Sequence, residues 1–253
     1  MSVKTWGRGA ETALMLHCTL AKGAAWAGVA RHLRDQLSMV APDLLSHGEG
    51  PHHDPARDFH DQATEAATMH LPEGRSHLIG HSFGATIALR LALDHPTRVK
   101  TLTLIEPVLF CAATGPGRAA HDAHIAGVPR ALAAGDTAQA ARIFLGLWGA
   151  EPYDTMSPAL QRYVTDRIWI PDACAPALDH DRAQILPRLM QLPAPTLLVQ
   201  GAASPPVIAE IMARLSHLIP VARGETIPGA AHMSPVTHAR QTASAIAGFI
   251  AQA

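Results

Sequence analysis

The segment Ser76–Asp94 constrains the fold more strongly than any other part of the sequence. Its first four residues form a short run typical of a strand, and its last ten show the apolar pattern of a helix. The sequence Gly-His-Ser-Phe-Gly at residues 80–84 joins them. Gly80 and Gly84 omit the side chains that would collide in a sharp strand-to-helix turn, so this turn can present the Ser82 hydroxyl clear of its neighbours.

Short strand-like runs alternate with helix-length segments along much of the chain. The predicted strands are Ala13–Leu16, Ser38–Ala41, Ser76–Ile79, Thr101–Ile105, Pro195–Gln200 and Ala222–Ile227. The predicted helices are Trp26–Leu37, Asp58–Met69, Ala85–Asp94, Val207–Leu218 and His238–Ala251. This alternation favours an α/β fold, in which a mostly parallel sheet is covered by helices on both faces.

The alternation stops in the middle of the chain. No convincing strand is found between Cys111 and Leu189, and Gly and Pro interrupt the helical patterns there. We expect residues 111–189 to form a helical cap inserted into a core domain made of residues 1–110 and 190–253. A second helical domain with its own core is the alternative, but the short, Pro-broken pieces favour the cap.

The charge and the apolar pattern exclude several classes of protein. Twenty basic and 21 acidic residues give a formal net charge of -1, which provides no field to attract a polyanion or a membrane surface. No apolar run approaches the roughly 18 residues that a membrane-spanning helix needs. We therefore expect a small-molecule substrate and no nucleic-acid or membrane partner. We expect a monomer or a homodimer.

The N-terminus and the cysteines predict the compartment. Polar and charged residues interrupt the first 16 positions, where a signal peptide would have an unbroken apolar stretch. The three cysteines are widely spaced and form no CxxC, so neither a disulfide framework nor a cysteine zinc cluster is expected. These features favour a cytoplasmic protein.

The strand, GxSxG turn and helix resemble the nucleophile elbow of the α/β-hydrolase superfamily, and the resemblance covers nearly the whole chain. Four further segments are similar to family segments, in the family's order. They are the oxyanion loop at residues 14–20, the D-x-x-G-H-G-like segment at 41–48, the penultimate strand at 193–201 and the histidine loop at 227–235.

The resemblance implies roles for individual residues. Ser82 would be the nucleophile and His232 the base that takes up its proton. The backbone N–H groups of Phe83 and Thr19 would form the oxyanion hole. The sequence departs from the family at Cys18, where glycine is usual; a cysteine would be strained there if the position required a positive φ.

The catalytic acid is the larger departure from the family. Most relatives have an aspartate after the penultimate strand, but residues 201–206 contain no carboxylate. Glu106 ends an apolar predicted strand, where a buried carboxylate needs a partner, and a subset of haloalkane dehalogenases resembles this arrangement. We expect Glu106 to orient His232. The alternative is that Glu106 pairs with an arginine or caps a loop. Asp43 and Glu210 are the competing carboxylates. We expect Asp43 to order a turn and Glu210 to lie on an exposed helix face.

Other side chains are expected to shape a pocket or to lie at the surface. The predicted pocket residues are His81, Trp148, Tyr153, Trp169 and Met233. The residues His47, His52, His53, Asp54 and His60 match no known metal-ligand spacing. We expect neither a metal nor a cofactor.

These features predict a cofactor-independent serine hydrolase. Its substrate would be a small to medium, mainly apolar carboxylic ester, or a lactone or thioester, cleaved through an acyl-enzyme. Two alternatives stay open. One is a C–C bond hydrolase of dienone-type ring-cleavage products, and the other is a non-catalytic ligand receptor on the hydrolase scaffold.

Overall fold

One seven-stranded sheet forms the centre of the computed structural model, which describes residues 2–252. The strands are β1 Val3–Trp6, β2 Glu11–Leu16, β3 Leu37–Pro42, β4 Ser76–His81, β5 Val99–Ile105, β6 Thr196–Gly201 and β7 Ala222–Ile227. Their order is β1-β3-β2-β4-β5-β6-β7, and every neighbouring pair is parallel except β1 and β3. The predicted mostly parallel α/β sheet is confirmed.

Twelve α-helices lie within the described residues. They are α1 Ala27–Leu33, α2 Phe59–Thr68, α3 Phe83–Asp94, α4 Pro116–Ile125, α5 Gly127–Ala133, α6 Thr137–Trp148, α7 Pro158–Thr165, α8 Ile170–Ala173, α9 Ala175–Leu178, α10 Pro206–Leu218, α11 Ser234–Thr237 and α12 Ala239–Ile250. None of these helices has the length and apolar character needed to cross a membrane.

Helices cover both faces of the sheet. Side chains alternate along β2, so Leu14 and Leu16 pack on the face covered by α2, α3 and α10, whereas Ala13 and Met15 pack on the face covered by α1 and α12. All six residues of β4 are buried because this strand lies at the centre of the sheet. The turn that contains Ser82 therefore follows a fully buried strand.

The segment 111–189, predicted to be a cap, is helical and contains no strand in the described structure. Trp148, Ile170 and Leu178 belong to the same apolar core as the strand residues of the sheet. A smaller cluster joins Val128 and Ala140 of these helices with Leu20 of the loop after β2. The main apolar contacts of this segment thus continue those of the sheet, and the cap with its boundaries stays a prediction.

Two local features differ from the sequence prediction. Strand β1 was not predicted, since Val3–Trp6 is short and mostly exposed; it pairs antiparallel with β3 at the edge of the sheet. The helix predicted over Trp26–Leu37 ends at Leu33, because Leu37 is buried as the first residue of β3.

Candidate active site

Ser82 occupies the sharp turn between β4 and α3. Its backbone adopts φ 55° and ψ -119°, a conformation that side chains disfavour. A side chain on Gly80 would overlap the backbone of Gly84 and Ala85, and one on Gly84 would overlap the Leu16 carbonyl. Both glycines are therefore needed for the tight approach of α3 to β4 and β2.

A continuous hydrogen-bonded chain joins Ser82, His232 and Glu106. The Ser82 Oγ lies 3.0 Å from Nε2 of His232, and Nδ1 of His232 lies 2.7 Å from Oε2 of Glu106. All three residues are buried, Glu106 completely. If Ser82 donates to Nε2 and Nδ1–H donates to Glu106, the imidazole has the tautomer that a general base for the serine requires.

Glu106 is held by groups that follow β6. Its Oε1 accepts hydrogen bonds from the Gly201 N–H at 2.6 Å and from the Ser204 hydroxyl. Ser204 stands in the turn where the family resemblance predicts an aspartate. Within residues 2–252 the only ion-pair partner of Glu106 is His232, so the alternative pairing with an arginine is absent there.

The two competing carboxylates lie elsewhere. Asp43 accepts hydrogen bonds from the N–H groups of Gly23 and Glu49, which orders the turn as expected. Glu210 was expected on an exposed helix face, and this is wrong. It is half-buried and accepts hydrogen bonds from backbone amides at the start of α4, including those of Gly115 and Gly117.

Two backbone amides beside the serine are free to bind an oxyanion. Within residues 2–252, neither the Thr19 N–H nor the Phe83 N–H donates to a protein acceptor. Phe83 is the first residue of α3, where helix geometry leaves amides unpaired and the helix dipole favours negative charge. Thr19 lines the cavities that reach Ser82. Cys18 is not among the residues with positive φ, and Leu20 adopts that conformation with φ 64°.

Buried histidines hold the loop that contains Thr19. The Leu44 N–H donates to Nε2 of His17 at 3.0 Å, and the Leu20 N–H donates to Nε2 of His47 at 3.0 Å. Burial lowers the pKa of His17 to about 4 and that of His47 to about 3. Both rings are thus neutral at pH 7, which the accepting role of each Nε2 requires.

Tyr163 of α7 ties the helical segment to the same loop. Its hydroxyl donates to the Ala21 carbonyl at 2.9 Å and accepts from the Gly48 N–H at 3.0 Å. The sequence does not predict this contact, because the hydroxyl bridges two loops that are distant from Tyr163 in sequence and no local pattern marks it.

Two cavities meet at Ser82. The inner chamber has a volume of about 160 Å³, and Val108, Phe110 and Leu178 contribute to its lining. The outer chamber has a volume of about 170 Å³ and includes His232, Met233 and Leu160 in its lining. Four residues border both chambers: Thr19, Ser82, Phe144 and Trp148. A substrate bound at Ser82 can therefore extend in two directions.

Comparison with known proteins assigns the family. The model of the alpha/beta hydrolase family matches residues 13–245. The chain belongs to the alpha/beta hydrolase family. The expectation that it is an α/β-hydrolase is confirmed.

Relatives of this α/β-hydrolase include named esterases. It is 25% identical to a pimeloyl-[acyl-carrier protein] methyl ester esterase of Aeromonas salmonicida, over 99% of each chain. It is 33% identical to lipase LipV of Mycobacterium tuberculosis over 40% of this chain and 39% of LipV. A second pimeloyl ester esterase, from Nitrosomonas europaea, is 37% identical over 41% of this chain and 39% of that protein. The chain thus spans well under half the length of the last two.

Solved structures show the same fold. The α/β-hydrolase MGS-M2 from a deep-sea metagenome library superposes with a TM-score of 0.78 at 18% identity, covering 100% of this chain and 94% of that one. MenH from S. aureus superposes with a TM-score of 0.70 at 18% identity, covering 99% of this chain and 98% of that one.

The pocket residues predicted for this α/β-hydrolase are not all brought together. Trp148 and Met233 line the chambers. Contrary to the prediction, His81 lines neither chamber, and its Nε2 lies 2.9 Å from the His232 carbonyl oxygen. Tyr153 and Trp169 line neither chamber, which corrects the prediction. The Arg142 guanidinium covers the Tyr153 ring near the surface, whereas the Trp169 ring packs against His53 and meets the Phe59 ring edge-on.

The histidines near residue 50 do not converge. His60 lies beside the Thr86 hydroxyl at 3.1 Å, His53 packs on Trp169 and His47 holds the loop that contains Thr19. In the part of the chain that the structure describes, no group of three or more His, Cys, Asp or Glu is arranged to hold a metal ion.

Proposed function

We propose that this α/β-hydrolase is a cofactor-independent serine hydrolase that cleaves a small to medium, mainly apolar carboxylic ester, lactone or thioester through an acyl-enzyme. The observation that supports the proposal most directly is the hydrogen-bonded chain from Ser82 through His232 to Glu106, which ends between two chambers. The esterase and lipase names of its relatives agree with this reaction class.

Acylation begins when the Ser82 oxygen attacks the ester carbonyl carbon. The proton of the hydroxyl moves to Nε2 of His232, and the negative charge of Glu106 stabilises the imidazolium that forms. The carbonyl oxygen becomes an oxyanion, which accepts hydrogen bonds from the free amides of Thr19 and Phe83. Loss of one such donor typically costs about 10²–10³ in kcat.

Collapse of this intermediate releases the alcohol and leaves the acyl group on Ser82. The proton on His232 moves to the departing oxygen as the carbon–oxygen bond breaks. His232 then takes a proton from water, which attacks the acyl carbon. The second intermediate releases the carboxylic acid, and the proton returns to the Ser82 oxygen, which restores the enzyme.

Labelling with a fluorophosphonate tests the nucleophile. We expect one adduct, on Ser82, together with steady-state hydrolysis of p-nitrophenyl butyrate. Ser82→Ala abolishes both. Ser244→Ala is the matched control, because Ser244 is an exposed α12 residue and its variant keeps full labelling and activity. An unlabelled wild-type protein that also leaves the ester intact contradicts the proposal.

Substrate comparison separates the remaining alternatives. A dienoate ring-cleavage product that is hydrolysed faster than every ester tried would replace the ester proposal with C–C bond hydrolysis. Ligand binding with no turnover of either substrate class would favour the non-catalytic receptor.

A further inference from the structure

Under the proposed function, the position of His232 indicates which chamber takes the acyl half of the ester and which takes the alcohol half. The departing oxygen must lie within hydrogen-bond reach of Nε2 of His232, because it receives its proton from that atom. His232 lines the outer chamber and is not among the residues that line the inner one. The alcohol arm of the ester therefore lies in the outer chamber, and the acyl arm enters the inner chamber.

The inner chamber holds a small, mainly apolar acyl arm. Its volume of about 160 Å³ is close to the ~150 Å³ of an apolar protein cavity that accommodates benzene. An acyl arm of about six carbons is thus the appropriate size. Phe110, Ile125 and Leu178 contribute apolar surface to this chamber.

His121 of α4 provides an unpaired polar atom on the wall of this chamber. Its side chain is only 5% exposed, and the ring stacks on Phe110 with the centroids 4.1 Å apart. Nδ1 lies 3.2 Å from a carboxylate oxygen of Asp122, whereas Nε2 has no hydrogen-bond partner within residues 2–252. Nε2 is not among the fully buried polar atoms that lack a partner, so a ligand can reach it, and a donor on the ligand gains about one net hydrogen bond there.

The hydrogen-bonding state of His121 makes this atom an acceptor. Because the Asp122 carboxylate can only accept, Nδ1 carries the proton and Nε2 of the neutral ring presents a lone pair. Burial lowers the pKa of His121, which keeps the ring neutral at pH 7. Nε2 therefore binds a donor such as a hydroxyl.

The charges around the chamber disfavour an anionic arm. Asp172 and Asp179 line it, and no lysine or arginine does so among the described residues. The nearby Arg118 is engaged by carboxylates, at 2.7 Å from Asp122 and 2.8 Å from Asp179. A carboxylate at the end of the acyl arm would face these two carboxylates without gaining a free cation.

We propose that the inner chamber selects an acyl group with an apolar body of about six carbons and a neutral hydroxyl at its far end, which donates a hydrogen bond to Nε2 of His121. The preferred substrates are thus esters of hydroxylated apolar acids, and esters with a free distal carboxylate are rejected. This inference rests on the proposed function for the assignment of the arms.

Three p-nitrophenyl esters test the inference at pH 7: the hexanoate, the 6-hydroxyhexanoate and the mono-ester of adipic acid. We expect kcat/KM for the hydroxy ester to exceed that for the hexanoate by about fivefold, the effect of one net hydrogen bond. The adipate ester is expected to be at least about tenfold slower than the hexanoate, because its charge faces the carboxylates of Asp172 and Asp179.

His121→Phe removes the acceptor and keeps a ring that can stack on Phe110. We expect the ratio of hydroxy ester to hexanoate to fall at least about tenfold, since the hydroxyl then enters an apolar chamber without a partner. His217→Phe, on the exposed part of α10 and outside the lining of both chambers, is the matched control and leaves the ratio unchanged. Equal ratios in wild type and His121→Phe, or an adipate ester cleaved as fast as the hydroxy ester, overturn the inference.

Binding to Ser82→Ala separates this inference from the proposed reaction. Calorimetry should give about fivefold tighter binding of methyl 6-hydroxyhexanoate than of methyl hexanoate, and adding His121→Phe should remove the difference. Such selective binding supports the chamber assignment even if the wild-type protein hydrolyses no ester. Equal binding of the two methyl esters contradicts it even if Ser82 is labelled and active.

Discussion

Replacing Glu106 with glutamine tests the role of the relocated acid. Glutamine has nearly the same shape, and its side-chain oxygen can still accept from the Gly201 N–H and the Ser204 hydroxyl. Its NH₂ group then faces Nδ1 of His232, where the carboxylate oxygen lies 2.7 Å away in the wild type. Because that group can only donate, Nδ1 must accept, and the ring proton moves to Nε2.

The expected loss of kcat follows from this change of tautomer. With its proton on Nε2, the imidazole cannot take up the Ser82 proton, and no carboxylate remains to stabilise an imidazolium. The corresponding substitution in a serine protease triad lowers kcat by about 10⁴. We expect kcat to fall by about 10³–10⁴ in Glu106→Gln. KM should stay within about threefold, because Glu106 lines neither chamber.

Steady-state hydrolysis of p-nitrophenyl butyrate gives kcat and KM, and the rate of fluorophosphonate labelling reports the nucleophile directly. Both rates should fall together while the circular dichroism spectrum is unchanged. Glu73→Gln is the matched control, because Glu73 is exposed and lines neither chamber, and its variant should keep wild-type kinetics.

A second substitution, at Ser204, tests the role of Glu106 by restoring activity. Its hydroxyl already contacts Glu106, so an aspartate at this position would place a carboxylate one hydrogen bond from the original acid. Ser204→Asp in the Glu106→Gln background should recover at least about tenfold in kcat. If Glu106→Gln alone retains more than a tenth of wild-type kcat, the assignment of Glu106 as the orienting acid is wrong.

Three further predictions concern the framework of the site. Tyr163→Phe leaves the Ala21 carbonyl and the Gly48 N–H without this partner. We therefore expect the free energy of unfolding in urea to fall by about 1–2 kcal/mol, and kcat to fall several-fold with KM little changed. Unchanged kinetics would refute coupling between Tyr163 and the loop that contains Thr19. Gly84→Ala should cost about 3 kcal/mol and abolish labelling, whereas Gly248→Ala in α12, where an added methyl meets nothing within 4 Å, should change stability by less than about 1 kcal/mol. His17 and His47 have pKa values of about 4 and about 3 when folded against 6.5, so the unfolded chain binds more protons below pH 6.5. The free energy of unfolding should therefore fall as pH drops from 6.5 toward 4, by at most about 1.4 kcal/mol per pH unit for each ring, and a flat profile in urea titrations at pH 7, 5.5 and 4.5 would contradict this.

The elbow was predictable because its requirements are local. Two glycines at fixed spacing around Ser82 relieve overlaps with backbone close in sequence or in the adjacent strand, and the pattern of one strand and one helix identifies the turn. Glu106 was identifiable as a candidate acid for a different reason. A carboxylate that ends an apolar strand at the centre of the sheet needs a partner, and few groups are available there.

The parts that sequence reasoning missed depend on how the helical segment packs. Tyr163 reaches two loops that lie 115 and 142 residues away in sequence, and no local pattern reports such a contact. Tyr153 and Trp169 were assigned to the pocket because aromatic residues concentrate in this segment, but the orientation of each short helix decides which ring faces the serine. Ser204 gave no sequence indication either, since its role depends on the side-chain position of Glu106.

The residues between the two chambers link selectivity for the acyl half of an ester to selectivity for its alcohol half. Phe144 and Trp148 are one turn apart on α6, and both border both chambers. A mutation at either position, or a small rotation of α6, therefore reshapes the spaces for both halves of an ester at once. A change of preference for the alcohol half of the ester, with the acyl preference kept, must therefore come from residues that line only the outer chamber, such as Met156 and Leu160.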